Sequence, residues 1–152
     1  MVDRRIAVLI IIIIAFLIFH ISSYYMKSDT VKADIYINGK KISVEVADTF
    51  EKRIRGLMFH EPLKANEGML LVFDSEGYHG IWMPNMSFSL DVVWINGEHD
   101  IVHIKKDIQP CESLPCRSYR TDKPALYILE LKANSTIGFN VGDSVDLSGI
   151  IK

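Results

Sequence analysis

The strongest constraint on this chain is an apolar run near its start, Ile6–Ile21. Its first 14 residues, Ile6–Phe19, carry no polar side chain. Counted on to Met26, the segment has 21 residues, or about 31 Å of α-helix, enough to cross a bilayer core of about 30 Å. A helix that is apolar on every side is typical of a membrane span rather than of the core of a small domain. The run predicts one N-terminal transmembrane helix over 6–26.

The flanks of this run predict how it is processed and oriented. A cleaved signal peptide is the main alternative, but Ile21–Tyr25, with bulky residues at 21, 24 and 25, offers no small-x-small cleavage site. An uncleaved signal-anchor therefore fits best. Arg4 and Arg5 before the run nearly balance Lys27 and Lys32 after it under the positive-inside rule. Because a short tail with two arginines resembles a signal n-region, we expect a single-pass protein of the cell membrane with its C-terminal part outside the cytoplasm.

The remainder of the chain has the size of one domain. After a tail at 1–5, the span at 6–26 and a linker at 27–31, the predicted domain covers 32–152. Beyond residue 27 the chain has 14 basic and 18 acidic residues, a net charge of about −4. A nucleic-acid surface needs a basic excess, so we expect no nucleic-acid partner. The expected partners are the membrane, through the N-terminal helix, and a small molecule or protein whose identity the sequence does not give.

Two local patterns predict the start of this domain. Asn38-Gly39 between alternating segments is the signal of a type I′ β-hairpin, and a two-residue turn would pair Ile35 with Ile42. Asp48 followed three residues later by Glu51 predicts the capped start of a short helix. Helical spacing then predicts one buried stripe, formed by Phe50, Ile54, Leu57 and Met58.

Short apolar runs bounded by Gly, Pro, Asn or Asp predict the remaining strands. They lie at 68–73, 80–83, 88–95, 100–105, 125–131 and 144–147. With the hairpin, this gives about eight strands and one or two short helices. The predicted fold class is mostly β, an antiparallel sandwich or small barrel, plus the N-terminal transmembrane helix.

The predicted strand at 88–95 carries a carboxylate in a mostly buried segment. Asp91 shares its face with Val93 and Ile95, and an unpaired charge there would be costly, so we expect hydrogen-bond donors or a cation beside it. In a regular hairpin with the next strand, His103 falls on the face of Trp94 instead. This register excludes a catalytic dyad of Asp91 and His103.

The cysteines and histidines do not form a metal-binding motif. Cys111 and Cys116 have C-x4-C spacing, which differs from a thioredoxin C-x-x-C and lacks the second pair of a zinc site. Outside the cytoplasm, the natural interpretation is a local disulfide, with redox catalysis as the less favoured alternative. No histidine pair has ligand spacing and no nucleotide or hydrolase motif occurs, so we expect no metal and no cofactor.

Two N-glycosylation sequons begin at Asn85 and Asn134. Asn134, at a predicted surface turn, is the better candidate, although helix capping explains it equally well. Asn85 follows a proline and is expected to bond within its own turn.

Ten short segments follow one another along 44–147 in a consistent order. They are Val44–Thr49, Arg55–Phe59, Gly68–Leu70, Trp82-Met83, Leu90–Val93, Pro110-Cys111, Cys116, Ser118-Tyr119, Ala125–Leu131 and Gly142-Asp143. Together they resemble the widespread family catalogued as domain of unknown function 192. The resemblance implies a compact, mostly β domain, often secreted or membrane-anchored, and it implies no reaction because the family is uncharacterised.

The chain departs from the family's pattern at two positions. Pro84 stands where members commonly have lysine after Trp-Met, and Arg117 stands where proline often follows the second cysteine. Any function that this lysine has in other members of the family is therefore not inferred for Pro84 of this chain.

Within this stretch of the chain we predict a small binding pocket. Trp82 and Met83 would line it, and Asn85, Asp91 and Arg55 would supply polar specificity. The alternative is purely structural, with the first two residues in the core, Asn85 in a turn and Arg55 paired with Asp91 or with a loop carboxylate.

Three functions follow from this sequence, and the first is favoured. The domain is expected to be a binding or accessory module for a small ligand or a protein partner. One alternative is a metal-dependent or hydrolase-like enzyme using Asp91 with a histidine brought in by the fold, such as His79. The other is a purely structural cell-envelope protein. Enclosure of Asp91 by backbone donors would count against the enzyme.

Overall fold

The computed structural model describes residues 4–25 and 31–150, without the side chains of 6–7 and 21–25. The chain forms two compact units, Met1–Thr30 and Val31–Lys152, which are considered separately. Most of the predicted linker, residues 27–30, lies outside the described residues.

The first unit contains one helix, α1, Arg4–Tyr25, over the predicted transmembrane segment. In this helix the structure describes the side chains of residues 8–20 as one continuous stretch, which corresponds to about 20 Å of helix. Across the part of the chain that the structure describes, no helix is both long and apolar enough to span a membrane.

The second unit is built from nine described strands and one short helix. In chain order they are β1 Val31–Ile37, β2 Lys40–Ala47, α2 Phe50–Arg55, β3 Glu67–Gly77, β4 Gly80–Ile81, β5 Leu90–Ile95, β6 Ile101–Ile108, β7 Tyr119–Arg120, β8 Ala125–Lys132 and β9 Val145–Asp146. The predicted mostly β class is confirmed.

Seven of these strands form one sheet in the order β6-β5-β8-β3-β2-β1-β9, and β4 pairs with β7 separately. An isolated bridge joins Asp100, just before β6, to Ser144, just before β9, so the sheet curls into a half-barrel. The prediction of an antiparallel sandwich or small barrel is too specific, because β2 and β3 are parallel. Parallel neighbours need a crossover connection, and here the crossover carries α2.

Local signals set the first hairpin as predicted. Ile35 pairs with Ile42 across β1 and β2. Asn38 and Gly39 have φ of 51° and 76°, as a type I′ turn requires. The turn chemistry therefore fixes the register of these two strands.

The helix α2 differs from its prediction in two respects. Its N-cap is Thr49, whose side chain accepts a hydrogen bond from the Lys52 N–H, and not Asp48. The stripe is not buried, since Phe50 is 65% exposed and Ile54 43% exposed. Leu57 alone of the four stripe residues is buried in the core. The apolar face of α2 is therefore free to border a cavity.

Both faces of the seven-stranded sheet are covered by apolar clusters. Val93 and Ile95 of β5 belong to one cluster, and Val92 and Trp94 belong to the other. Trp94 pairs with His103 across β5 and β6, and their rings lie 5.3 Å apart, as the predicted register requires. The two faces of β5 therefore have separate surroundings.

Candidate functional site

A cavity of about 410 Å³ lies between α2 and the sheet. Its floor comes from β3, β5 and β8, and its cover from α2 and the residues after it. One wall contains Arg53 of α2, and the opposite wall is formed by the paired strands β4 and β7 with the loop after β4. The lining residues are Phe50, Arg53, Ile54, Gly56, Leu57, Met58, Leu71, Phe73, Gly80, Ile81, Trp82, Met86, Leu90, Ser118, Arg120 and Glu130. The exposed side chains of Phe50 and Trp82 mark its mouth.

Glu130 is the acidic residue at the base of this cavity. Its side chain lies on the same face of β8 as Ile128, and its strand neighbours are Met69 on β3 and Val92 on β5. All three neighbours are buried and apolar, and Glu130 itself is only 5% exposed. The strand alternation thus places a carboxyl group where water is largely excluded.

The carboxyl group of Glu130 has an unmet hydrogen-bonding capacity. Its Oε2 atom is buried and has no hydrogen-bond partner among the described residues. Burial raises the pKa of Glu130 to about 7, because the charged form loses its hydration. Near neutral pH the group is therefore balanced between a neutral acid and a carboxylate.

The chain leaves α2 directly above this carboxyl group. Gly56 ends the helix with a φ of 46°, a backbone conformation that suits glycine. A Cβ at this position would lie 3.7 Å from Oε2 of Glu130. The end of α2 therefore closes one side of the carboxyl group without offering it a donor.

Arg53 forms a rigid part of the cavity wall. Its Nη1 donates to the carbonyl oxygens of Val72 at 2.7 Å and Asp48 at 3.0 Å. Its guanidinium lies 5.2 Å from the ring centre of Phe73 and 3.6 Å from a carboxylate oxygen of Asp74. These contacts hold the charge of Arg53 at the wall of the cavity.

The opposite wall depends on close contact between β4 and β7. Gly80 pairs with Arg120, and a Cβ at Gly80 would lie 2.7 Å from Cγ of Arg120. Glycine is therefore required there for the two strands to approach. Arg120 is exposed and brings a second guanidinium to the lining of the cavity.

Of the five predicted pocket residues, only Trp82 lines this cavity. Met83 is buried in the core, and its carbonyl accepts a hydrogen bond from the Cys111 N–H at 2.9 Å. Asn85 lies exposed in a turn with a φ of 53°. Arg55 is exposed at the end of α2 and is not among the lining residues.

Asp91 lies on the other face of β5 and is fully buried. Its Oδ1 accepts from the Asp107 N–H at 2.9 Å, and its Oδ2 accepts from the N–H and hydroxyl of Thr136 at 3.1 and 2.7 Å. Burial alone would raise the pKa of Asp91, but these hydrogen bonds outweigh it and lower the pKa. The expected donors are present, and they enclose the carboxylate.

The structure does not bring together the carboxylate of Asp91 and the histidine that the enzyme alternative requires. The ring of His79 stacks on Phe73 with centres 3.7 Å apart, and its Nε2 lies 2.9 Å from the Ser75 carbonyl oxygen. The hydrogen-bond partners of Asp91 include neither this histidine nor Arg55. Among the described residues, the structure shows neither a dyad of Asp91 with His79 nor an ion pair of Asp91 with Arg55.

The other predicted sites lie away from the base of the cavity. The structure joins Cys111 and Cys116 in a disulfide, in the segment that leads to β7. Asn134 is exposed in a turn with a φ of 68°. Its glycosylation stays a prediction.

Residues 33–147 match the family DUF192, described as "Uncharacterized ACR". The chain belongs to this family, and the resemblance inferred from the sequence is confirmed.

Two curated relatives are archaeal proteins of the UPF0127 family. The chain is 30% identical to one of Pyrococcus furiosus over 122 residues, which is 74% of this chain and 95% of that protein. It is 30% identical to one of Thermococcus sibiricus over 107 residues, which is 68% of this chain and 64% of that protein.

Two solved structures share the fold. One, from Sinorhizobium meliloti, is described as a candidate transcription regulator and has a TM-score of 0.74 and 25% identity, covering 82% of this chain and 99% of its own. The other, a protein of unknown function from Novosphingobium aromaticivorans, has a TM-score of 0.67 and 22% identity, covering 77% of this chain and 84% of its own. The second likeness concerns the fold alone.

Sequence reasoning missed Glu130, the most unusual residue of the cavity. The signal was present, because Glu130 is the one charged residue in the otherwise apolar strand Ala125–Leu131. A charge at the centre of such a strand is expensive unless it has a partner or a function.

Proposed function

We propose that the domain is a binding module that holds a small, largely apolar ligand in the Glu130 cavity. The observation that carries the proposal is the unpartnered, buried Oε2 of Glu130 at the base of a cavity with exposed aromatic side chains at its mouth. A buried polar atom without a partner is costly, and a ligand that pairs with it removes this cost. A volume of about 410 Å³ falls in the range of small-molecule sites.

The composition of the cavity supports binding over catalysis. Its described lining residues include no histidine, cysteine, lysine or tyrosine. Ser118 is the one hydroxyl side chain there, and no histidine stands in the lining to activate it. Glu130 therefore has the role of a recognition group in this proposal.

A ligand screen on the full chain in lipid nanodiscs tests the binding function. Fragments of 10 to 20 heavy atoms would be added, and the shift in unfolding temperature would be read by calorimetry. Ile54→Trp fills the mouth of the cavity, while Ile137→Trp adds the same ring at a position that is 78% exposed and outside the lining. We expect stabilising fragments to lose their effect in the first variant and keep it in the second. Equal loss or equal retention in both variants would contradict the assignment to this cavity.

We also propose that residues 6–26 anchor the domain in the cell membrane, with the domain outside the cytoplasm. The support is the sequence, in which 14 successive residues lack a polar side chain and no signal cleavage site follows. The disulfide of Cys111 and Cys116 suits an oxidising compartment. The tether would keep a captured ligand near the membrane surface.

Attachment can be measured on isolated membranes, and orientation on intact cells. We expect the chain to stay with the membrane during alkaline carbonate extraction. A membrane-impermeant maleimide should label Cys111 and Cys116 only after an impermeant reductant is added. Release by carbonate would contradict the anchor, and thiols reached only after cell lysis would contradict the orientation.

A further inference from the structure

We infer that the ligand of the Glu130 cavity is an uncharged molecule with a carboxamide-type group that faces Glu130 and an apolar or aromatic body. This inference rests on the proposed binding function and adds the class of ligand. A neutral group, a cation and an anion would each meet a different environment at the base of the cavity.

A neutral amide matches the hydrogen-bonding capacity at the base. A protonated carboxyl group has one O–H donor and a carbonyl acceptor. A carboxamide presents an acceptor and a donor side by side, so the two groups can form a paired set of hydrogen bonds. Such a pair would engage the buried Oε2 of Glu130, which has no partner among the described residues.

A cationic ligand is disfavoured by the loss of hydration at the base of the cavity. The neighbours of Glu130 on β3 and β5 are the uncharged Met69 and Val92. The other charged lining residues are Arg53 on α2 and Arg120 on β7, both positive. The lining therefore offers an amine no second carboxylate, and both the amine and the Glu130 carboxylate would lose their hydration on pairing.

An anionic ligand lacks a counter-ion at the base. Arg53 is held at the wall by the carbonyl oxygens of Asp48 and Val72. Burial alone raises the pKa of Glu130, with no opposing effect of either guanidinium on its carboxylate. A ligand carboxylate placed beside Glu130 would therefore be buried without stabilisation by a cation. The apolar floor of Leu71 and Leu90 suits the body of the ligand instead.

Three compounds of similar shape separate these cases. They are 4-phenylbutanamide, 4-phenylbutylamine and 4-phenylbutyrate, added to the full chain in nanodiscs at pH 6. Affinity would be measured by ligand-observed NMR, and the pKa of Glu130 by carbon-13 NMR of its carboxyl group. We expect the amide to bind about tenfold tighter than either ion. Each ion would bring a charge into the cavity without compensation or would leave a hydrogen bond of Glu130 unformed.

The ligand's effect on the pKa of Glu130 is a second readout. A bound neutral amide displaces water and should raise the pKa of Glu130 above its value of about 7 in the free protein. By linkage, the amide should then bind more weakly at pH 8 than at pH 6. A bound amine should lower the pKa of Glu130, so the sign of the change distinguishes the two classes.

Variants connect these effects to Glu130. Glu130→Gln should remove the pH dependence of amide binding, and Glu130→Leu should remove the preference for the amide. Glu98→Gln is the matched control, because Glu98 is exposed in the turn between β5 and β6. An unchanged pH dependence in Glu130→Gln would contradict the inference even if Glu130→Leu failed to fold.

The outcomes separate this inference from the proposed function. Tightest binding by the amine or the carboxylate, blocked by Ile54→Trp, would overturn the carboxamide class and leave the cavity as a binding site. The same holds if none of the three compounds binds while fragments from the screen do. Absence of any ligand that Ile54→Trp blocks would overturn both proposals.

Discussion

The hydroxyl of Thr136 donates a hydrogen bond of 2.7 Å to Oδ2 of Asp91, a residue 45 positions earlier in the chain. Both side chains are fully buried. The bond connects the turn after β8 to the start of β5 and holds a charged carboxylate inside the protein. It gives Asp91 a structural role, which can be tested.

Replacement of Thr136 by Val removes this donor while the volume stays almost the same. We expect a loss of about 1.5–3 kcal/mol in the free energy of unfolding, the usual value for a hydrogen bond to a charged group. Because the folded pKa of Asp91 is lowered from 3.8, its stabilising contribution is present at neutral pH and lost as the pH falls through the folded pKa. Urea unfolding at pH 7 measures the loss. Thr136→Ser keeps the hydroxyl, and equal stability of the two variants would contradict this role.

Glu130 should make stability depend on pH in the opposite direction. Its pKa is raised from 4.5 to about 7 in the folded protein, so the folded state holds its proton more tightly than the unfolded state. The stabilisation is complete below pH 4.5 and is lost as the pH rises through 7, a change of about 3 kcal/mol. Glu130→Gln should lack this loss. Urea unfolding of both proteins from pH 4 to pH 8 measures it, and parallel pH profiles would refute the buried carboxyl.

Arg53 should contribute to stability through the geometry of its guanidinium. Arg53→Lys keeps the charge but cannot donate to two carbonyl oxygens and lie over Phe73 at once. We expect a loss of about 1–2 kcal/mol, since the half-buried carbonyl oxygen of Val72 loses its donor. Arg55→Lys, at an exposed position on the same helix, should change stability by less than about 0.5 kcal/mol. Calorimetry would compare the two variants, and equal effects would mean that the wall contacts of Arg53 are dispensable.

Removal of the disulfide should destabilise the folded domain. Cys111 and Cys116 close a loop of five positions, so the double serine variant should lose about 2 kcal/mol by the chain-entropy estimate. Chemical denaturation with and without reductant measures this loss. Reductant should destabilise the wild type to the same extent and leave the variant unaffected. A wild type that is indifferent to reductant would show that the bond does not stabilise the fold.

Local signals in the sequence were sufficient for part of the fold. Asn38-Gly39 determines its hairpin through backbone conformations that few other residue pairs adopt. Strand alternation predicted that Trp94 and His103 share a face and that Asp91 needs donors. In each case the predicted feature depends on turn geometry or on the two-residue period of a strand, which are both local properties of the sequence.

Long-range packing decided what the sequence did not reveal. The parallel pairing of β2 and β3 depends on the path of the crossover, which no local pattern encodes. Helical spacing showed that Phe50 and Ile54 share a face, but it could not show whether that face is covered. The position of Glu130 in a cavity depends on both the crossover and the uncovered helix face, because the crossover places the open face of α2 above β8. Of the predicted pocket residues, Trp82 alone reached the same cavity.

The curl of the sheet has a consequence for encounters between copies of this protein. A flat sheet has two edges whose free backbone groups can pair with another chain. Here the Val145 N–H donates to the His99 carbonyl oxygen, and the Ile101 N–H donates to the Asp143 carbonyl oxygen, at 2.8 and 2.9 Å. Backbone groups near the two edges are thus satisfied within one molecule. At the high surface density that the proposed membrane tether would create, this self-pairing would oppose strand exchange and aggregation between neighbouring copies.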